Sequence, residues 1–505
     1  MDHHTASNHE LAVRKLAVEV AGFHAAHTPF RINHGSTNST RRRDPNTPQL
    51  HISHLNHILA IDTDSRIATV EPNVPLDLLV SESLQLGFMP LVVMEFPGIT
   101  IGGGFSGASG ESTGWKEGLF DCSVEEIEMI LGNGDIVRAT KNGGNSDLFD
   151  GARCTLGTMG VITLLKVRLT ETKDAVQLTY HHTSSINETI NRLSSMCEER
   201  NASFDFIEAI QYSMQHGVIT TGRHVSYTSP ETRGVPRQRF DRAIDPWFYM
   251  HARETFESYT DIIPTQSYLF RHDRGAFWSG EVFFNYYGLP NNRFFRWLLN
   301  PIMTARAIYK AMLAVDSADG AIVQDLLLPV DTSEAFVRYV DEELKIWPLW
   351  ICPTLKKEGA EEVVGWPFYK SNDEISAVPK KKGELTLNFG VWGPTDPAPA
   401  AVRKTNRDLE QKLRELRGMK VPYAANFYTE DEFWSLYDRP KYDDLRKRWH
   451  AEALPSMYEK VRRVQTQDIS REEGTREPQG QTWKEAVLTT WPLGGLYQTY
   501  HVIFR

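Results

Sequence analysis

The chain has 505 residues, of which 41% are hydrophobic and 24% are charged, and its formal net charge is −10. This length predicts two or three domains, and the acidic balance, without a basic run among aromatic residues, argues against a nucleic-acid partner. The four cysteines are far apart and form no Cys-x-x-Cys pair, so we expect no metal site, no disulfide framework and a reducing compartment.

The N-terminal segment, residues 1–29, is predicted to be helical. Residues 8–28 place Leu11, Val13, Leu16, Val18 and Val20 among polar residues. The first 20 residues lack the apolar core of a signal peptide. No window of about 18 uncharged apolar residues exists, so we expect no transmembrane helix. We expect a cytoplasmic protein. A peripheral position on the cytoplasmic side of the endoplasmic reticulum membrane is compatible with this expectation.

Residues 30–170 are predicted to form one domain in which short strands alternate with glycine-rich turns. The apolar runs typical of strands are residues 57–62, 66–72, 126–140 and 160–169. Within the third run, Asn133-Gly134-Asp135 separates two apolar halves and predicts a β-hairpin.

A segment rich in glycine, residues 100–120, is the strongest chemical signal in the sequence, and we call it the glycine segment. Its seven glycines are Gly102, Gly103, Gly104, Gly107, Gly110, Gly114 and Gly118. Glycine lets the backbone approach a ligand closely, and successive free N–H groups form a nest for a pyrophosphate. The segment follows apolar residues 91–93 and precedes a predicted strand at 126–131. We therefore predict a crossing between strands of one sheet that binds a phosphate-bearing cofactor.

The glycine segment has two other interpretations. Gly102, Gly104 and Gly107 satisfy the G-x-G-x-x-G pattern, but a nicotinamide Rossmann site also needs a helix and an acidic residue about 20 positions later. Further glycines and a Trp-Lys-Glu-Gly turn follow here instead. A purely structural glycine-rich loop is the other alternative. A second polar loop that could contact phosphates begins at Gly35, after Phe30-Arg31-Ile32.

The remainder of the sequence has a different residue pattern. Residues 171–425 carry longer, aromatic-rich segments and are predicted to form a second domain that mixes helix and strand. Loops are predicted at residues 226–239 and 394–401. Residues 426–463 are predicted to be a helical return segment, and residues 464–505 a polar linker followed by an aromatic tail.

At this point the residues resemble a known family. Residues 30–170, with the glycine segment and Gly157–Leu169, are similar to the flavin-binding domain of the vanillyl-alcohol-oxidase/PCMH superfamily. Within it, the sequence resembles the Diminuto-type delta-24 sterol reductases in collinear order over residues 30–463. The stretches that carry this resemblance are 212–222, 271–278, 323–330, 347–353, 388–393, 423–438 and 441–448. The family's N-terminal membrane segment has no counterpart here, nor has the aromatic tail a counterpart in the family.

The resemblance implies an α+β fold, with a two-subdomain PCMH-type FAD-binding domain and a mixed α/β cap. It also implies an FAD site in which the two loops hold the pyrophosphate and residues near Gly157 contact the adenine half. The cofactor-binding residues expected on this basis are Gly35, Ser36, Thr37, Asn38, Ser39, Thr100, Ile101, Gly102, Gly103, Gly104, Phe105, Ser106, Gly107, Ala108, Ser109, Gly110, Glu111, Ser112, Gly157, Gly160, Val161 and Ile162.

The resemblance further implies reduction of an isolated C=C bond in the side chain of a sterol or terpenoid, with NADPH recharging the flavin. An unactivated alkene accepts hydride only as carbocation character develops, so an acid is needed in a dry pocket. Seven tryptophans in residues 171–421 suit an apolar ligand; they are Trp247, Trp278, Trp297, Trp347, Trp350, Trp366 and Trp392.

Candidates for catalytic roles each have a structural alternative. Arg271 and His272 could bind NADPH phosphate or relay a proton, or they could form a solvated basic turn. Glu111 and Lys116 could face the flavin or form surface salt bridges. Tyr428 could contribute a phenol, although aromatic stripes more often belong to a core. Asp325, Tyr423 and Tyr437 are further candidates; Asp325 interrupts an apolar run and is expected to have a structural partner.

Covalent attachment of FAD is not expected. Covalent members of the superfamily commonly place a histidine directly after paired glycines in the first phosphate loop. Here His34 precedes a single glycine, so we expect dissociable FAD and a hydrogen-bonding or turn role for His34.

The sequence leaves two alternative functions open and also indicates one segment that could contact a membrane. The first alternative is an FAD-dependent alcohol oxidase or dehydrogenase of the same fold, in secondary metabolism for example. The second is a non-catalytic descendant that binds sterols or partners. Residues 293–315 mix large apolar residues with four basic ones, which suits an interfacial segment in contact with a membrane; an ordinary buried helix is the alternative.

Overall fold

The fold is α+β, as predicted, and is built around two large antiparallel sheets. The computed structural model describes residues 3–35, 47–198, 203–314, 321–355, 367–370, 385–396 and 398–462. The strands of one sheet come from residues 58–171 and those of the other from residues 175–420. The last strand of the first sheet ends at Glu171 and the first strand of the second begins at Ala175. The predicted domain boundaries remain predictions.

The N-terminal helix packs against a small two-stranded sheet. These elements are α1 (His3–Ala25), β1 (Arg31–Asn33) and β2 (Gln49–His51), with β1 and β2 parallel. Val13, Leu16 and Val20 are buried in a cluster with Phe30. Leu11 and Val18, which the sequence placed with them, are instead 54% and 74% exposed, because the helical period carries them to the outer face.

The first large sheet contains the predicted short strands. Its region comprises β3 (Ile58–Asp62), β4 (Ile67–Val70), α2 (Leu76–Gln85), β5 (Phe88–Pro90), α3 (Ile101–Gly107), α4 (Gly114–Glu117), β6 (Val124–Ile130), β7 (Ile136–Thr140), α5 (Ser146–Ala152) and β8 (Val161–Glu171). The strand order is β3-β4-β8-β6-β7, and β5 pairs with β8. β6 and β7 form the predicted hairpin around Asn133–Asp135. The glycine segment therefore crosses between two strands, β5 and β6, that both pair with β8.

The second sheet has eight strands in the order β12-β9-β11-β10-β14-β15-β13-β16. Its region comprises β9 (Ala175–Thr183), α6 (Ile186–Glu198), β10 (Phe206–Ser213), β11 (His216–Val225), α7 (Phe248–Arg253), β12 (Tyr259–Pro264), α8 (Thr265–Leu269), α9 (Ser279–Tyr286), α10 (Arg293–Leu298), α11 (Ala305–Ala314), β13 (Ala321–Pro329), α12 (Val330–Tyr339), β14 (Leu349–Leu355), β15 (Leu385–Pro394), α13 (Pro399–Glu415) and β16 (Met419–Lys420). The loop predicted at 394–401 is shorter than expected, because Pro399 opens α13, a position that suits its fixed φ.

Three helices return the backbone to the first sheet, as predicted for residues 426–463. They are α14 (Glu430–Leu436), α15 (Arg439–Arg448) and α16 (Met457–Val461). The Tyr442 hydroxyl lies 2.9 Å from Thr158 Oγ1, and Lys460 Nζ donates to the Leu156 carbonyl at 2.5 Å. The linker and tail predicted at 464–505 lie outside the described residues. None of the helices in the described ranges is long and apolar enough to cross a bilayer.

Candidate functional site

The glycine segment begins as a helix whose first amides are already used. Thr100 caps α3, because its side-chain hydroxyl accepts from Gly103 N at 3.2 Å. The amides of Ile101 and Gly102 donate to the carbonyls of Val74 (3.0 Å) and Pro72 (2.8 Å). These bonds fasten α3 to the start of α2, and they leave the first turn few donors for a phosphate.

Free backbone donors appear directly after α3. Ala108 adopts the left-handed conformation (φ 60°, ψ 46°) and turns the backbone. Within the described residues, the amides of Ser109, Gly110 and Glu111 have no acceptor in the protein. A run of amides after such a turn is the geometry of an anion nest. A Cβ added to Gly107 would meet only Ser109 Oγ, at 3.9 Å, so the backbone here is open to close approach. These residues fit a pyrophosphate.

Other glycines of the segment serve packing. A Cβ on Gly102 would lie 2.8 Å from Pro72 Cβ, and one on Gly104 would lie 2.7 Å from the Met94 sulfur. These two positions therefore need glycine for the close fit of α3 against its neighbours. Their assignment to cofactor contact remains a prediction.

The other two predicted FAD-contacting regions come together at β1. Gly35, at the end of the described part of the first loop, has φ 78°, and a Cβ on Gly157 would meet Ile32 Cδ1 at 3.7 Å. Ser36, Thr37, Asn38 and Ser39 lie outside the described residues. Gly160 packs closely against Met129, while Val161 and Ile162 are paired with β6.

Four buried ionisable side chains meet at the far end of the glycine segment, and we call them the Arg271 cluster: Glu111, Glu208, Arg271 and His272. Arg271 Nη2 lies 2.5 Å from Glu111 Oε1, and Arg271 Nε lies 2.7 Å from Glu208 Oε1. Arg271 Nη1 donates to the Tyr268 carbonyl at 3.0 Å. The cluster therefore joins the glycine segment to strand β10 of the second sheet, and each guanidinium nitrogen is engaged within the protein.

The Arg271 cluster is buried away from water, and this burial affects the pKa of each of its members. The solvent-exposed fraction is 1% for Arg271 and His272, 3% for Glu111 and 0% for Glu208. Burial opposes ionisation of Glu208, but the charge of Arg271 and the hydrogen bond from His272 hold its pKa well below its usual range. Burial raises the pKa of Glu111, against the effect of Arg271. A metal ion bound by Glu111, Glu208 and His272 would have to share the two carboxylates with the Arg271 guanidinium. The guanidinium already supplies the positive charge beside them.

His272 is a neutral imidazole. Burial lowers its pKa to about 4, and its Nε2 lies 3.0 Å from Glu208 Oε2. Its ring stacks on Phe277 with centroids 3.9 Å apart. Nδ1 is buried and has no hydrogen-bond partner among the described residues. At neutral pH, Nε2 is thus the protonated nitrogen and Nδ1 can only accept a proton.

Three of the predicted catalytic residues, Arg271, His272 and Glu111, are therefore adjacent, and the solvated-turn alternative for the first two is wrong. Lys116 lies apart from them, in a half-exposed ion pair with Asp205 at 2.9 Å. Tyr428 lines a small separate cavity together with Lys420 and other residues of the C-terminal region. The catalytic roles of all five residues remain predictions.

Asp325 has the structural partner that the sequence predicted. Tyr423 donates its phenolic O–H to Asp325 Oδ2 at 2.6 Å, and Asn388 Nδ2 lies 3.2 Å from Oδ1. Burial raises the pKa of Asp325 to about 6. Two further acids, Glu95 and Glu208, are not among the residues predicted from the sequence. The signal that singled out Asp325, an acid inside an apolar run, is also present at both of these positions.

Comparisons with known proteins identify the relatives of this protein. Residues 13–140 match the FAD binding domain family. The sequence is 26% identical over 429 residues to the Delta(24)-sterol reductase of Pisum sativum, and the match spans 80% of this protein and 74% of that one. For the Delta(24)-sterol reductase of Homo sapiens the values are 26% over 418 residues, 81% and 76%.

The protein is similar to the Delta(24)-sterol reductases over four-fifths of its length. It carries an FAD-binding domain and is an oxidoreductase of the flavin-dependent class. A shorter match, 32% over 149 residues, joins it to the glycolate oxidase subunit GlcD of Bacillus subtilis, but spans only 27% of this protein and 31% of that subunit. The similarity to the sterol reductases spans about three times as much of this protein as the similarity to the oxidase subunit.

Proposed function

We propose that this protein reduces an isolated C=C bond in the side chain of a sterol or terpenoid, using dissociable FAD and NADPH as the source of hydride. The observation that carries the proposal is the collinear similarity to Delta(24)-sterol reductases over four-fifths of the sequence. The resemblance noted in the sequence covers residues 30–463, and this range includes the glycine segment and the Arg271 cluster.

The protein's own residues would act as follows. The amides of Ser109, Gly110 and Glu111 would bind the pyrophosphate, and Gly107 would let the backbone approach it. FAD, when bound and reduced, supplies the hydride for the alkene. The Arg271 cluster would hold the glycine segment against β10, because its ion pairs are buried and directional.

An apolar cluster around Phe277 supports a terpenoid substrate. Phe277 is surrounded by Trp392, Trp350 and Trp278, with ring centroids 4.2, 5.2 and 5.6 Å away, and we call these four the Phe277 cluster. All four are at most 5% exposed. Such a wall excludes water and offers few hydrogen bonds to a polar substrate such as a sugar. Of the other tryptophans noted in the sequence, Trp297 is exposed and Trp366 lies outside the described residues.

An anaerobic half-reaction series tests the proposal. NADPH is expected to bleach the bound flavin, and sterols with an unsaturated side chain are expected to restore its colour. With deuteride-reduced flavin, the product should gain two hydrogens, one of them deuterium. If the reduced flavin survives every alkene, while the oxidised enzyme turns over an alcohol with oxygen and forms peroxide, the alcohol oxidase is the function instead. Purified protein without any flavin would support a non-catalytic binding module.

We also propose peripheral contact with a membrane through α10. The predicted segment 293–315 is not one helix, because α10 ends at Leu298 and α11 begins at Ala305. Phe294, Trp297 and Leu298 of α10 are 59%, 55% and 51% exposed, and Arg293 beside them is exposed too. Clustered large apolar side chains with a basic neighbour suit an anionic lipid surface. A position on the endoplasmic reticulum membrane would follow from this contact.

A further inference from the structure

Glu95 occupies an unusual position between the glycine segment and the Phe277 cluster. It lies in the connection from β5 to α3, between Met94, whose sulfur packs on Gly104, and Phe96. The Phe96 ring contacts Phe277, with ring centroids 5.8 Å apart. The two neighbours of Glu95 are buried, whereas Glu95 itself is only partly covered. Its carboxyl group is therefore held at a wall of the apolar region instead of inside the core.

Asp325 lies at the same wall. Its partner in the neighbouring strand is Gly390, and a Cβ at Gly390 would stand 3.2 Å from Asp325 Oδ1. Trp392 is two residues farther along β15 and so shares the face of Gly390. The ring of Trp392 contacts that of Phe96, with centroids 6.3 Å apart. Thus the connection that carries Glu95 and the strand pair that carries Asp325 meet at the contact between the Phe96 and Trp392 rings.

The other ionisable groups near this wall are unsuitable as proton donors. Glu111 and Glu208 accept from Arg271 in ion pairs, and a guanidinium does not give up its proton. His272 is neutral, with its free nitrogen able only to accept. Tyr423 directs its O–H to Asp325. Tyr309, whose ring contacts that of Phe96, is a weaker acid than usual, because burial and the charges of Glu95 and Asp325 raise its pKa.

Glu95 differs from all of them. Within the described residues, no other residue donates a hydrogen bond to its carboxyl group or forms an ion pair with it. Burial, the charge of Asp325 and that of Glu111 raise its pKa, against the effect of Arg271, to about 8. At neutral pH its carboxyl group is accordingly protonated and uncommitted.

We propose that Glu95 is the general acid that protonates the alkene, and that Asp325, held by Tyr423 and Asn388, is the positioning residue that keeps Glu95 protonated. This inference rests on the proposed function. In the step, the π electrons of the C=C form a C–H bond at the less substituted carbon with the proton of Glu95, whose O–H bond breaks. The more substituted carbon gains cationic character, and reduced FAD, when bound, would supply the hydride that forms the second C–H bond there. The Glu95 carboxylate then takes a proton from solvent.

The test compares Glu95→Gln with Glu82→Gln, a matched change at an exposed glutamate of α2. In both variants NADPH is expected to reduce the bound FAD. Reoxidation by an unsaturated side-chain sterol is expected to slow by about 100-fold or more in Glu95→Gln only. Glu95→Asp should recover part of this loss. In the parent protein, the same step should slow as the pH rises through about 8.

A spectroscopic readout separates this inference from the proposed function. Infrared spectra of the oxidised enzyme at neutral pH should contain the C=O stretch of a protonated carboxylic acid that Glu95→Gln removes and Glu82→Gln retains. Identical spectra for the three proteins, or reoxidation of Glu95→Gln at the parental rate, would overturn the role of Glu95 and leave the proposed function standing. Failure of every alkene to reoxidise the parent enzyme would overturn the proposed function, whatever the infrared result.

Discussion

Replacement of Arg271 by methionine tests how much the buried cluster contributes to the fold. Methionine has a similar length but no charge, so Arg271→Met leaves two acids without their counter-ion. Glu208 and Glu111 are 0% and 3% exposed, and the ion pairs lost measure 2.7 and 2.5 Å. Removal of one partner from a buried ion pair typically costs about 3–5 kcal/mol, mostly because the remaining charge stays buried. We expect a loss of that size in the free energy of unfolding.

Urea unfolding followed by far-ultraviolet circular dichroism measures the loss. Arg338→Met is the control, because Arg338 forms an i,i+4 pair with Glu334 at the surface and is 56% exposed. This control should change the free energy of unfolding by no more than about 0.5 kcal/mol. Equal urea midpoints for the two variants at neutral pH would refute the argument that the Arg271 cluster is an electrostatic unit.

The pH dependence provides an internal check. In the parent protein the pKa of Glu208 is lowered, so its contribution to stability is present above the unfolded-state pKa and is lost only in strong acid. Without Arg271, burial would raise that pKa above the unfolded value, and the ionised acid would then oppose folding. The deficit of Arg271→Met should therefore grow between about pH 5 and about pH 8. A deficit that is constant over this range would indicate lost packing alone.

Three further predictions concern the cofactor, the N-terminal helix and the membrane. Gly107→Val should fold normally but lose FAD on gel filtration, because the added side chain would occupy the space of the ligand. Gly104→Ala should instead lower the unfolding midpoint. Retention of full flavin colour by Gly107→Val would contradict the proposed site. His9 is buried between two glutamates, whose effect outweighs desolvation and raises the pKa of His9 to about 9. The contribution of His9 to the stability of the fold is therefore complete below about pH 6.5 and lost as the pH rises through about 9. The urea midpoints of the parent and of His9→Gln should converge over that pH range, and a constant difference between them would contradict the charge assigned to His9. Trp297→Ser should reduce flotation with anionic liposomes, whereas Leu86→Ser, at an equally exposed residue, should not; flotation unchanged by the first variant would remove α10 as the contact.

The sequence was sufficient for features that depend on local pattern. The strands of the first sheet, the hairpin at Asn133–Asp135 and the crossing from β5 to β6 follow from short-range alternation and turn chemistry. The α+β class and the resemblance to the sterol reductases likewise come from collinear motifs. The sequence pattern assigned the glycines from Gly102 to Gly110 to cofactor binding. Gly102 and Gly104 are needed where α3 packs against Pro72 and Met94, and the sequence does not reveal that contact.

Only the tertiary structure decided which charged residues act together. Arg271 and His272 look like a basic turn in the sequence, yet strand β10 places Glu208 beneath them and the glycine segment adds Glu111 from 160 residues away. Glu95, in the connection from β5 to α3, and Asp325, in β13 of the second sheet, are likewise far apart in the sequence and come to the same wall. The sequence by itself determined which segments form the sheets, since that depends on neighbours along the backbone; the structure decided burial and pairing, and these set the charge states on which the chemistry depends.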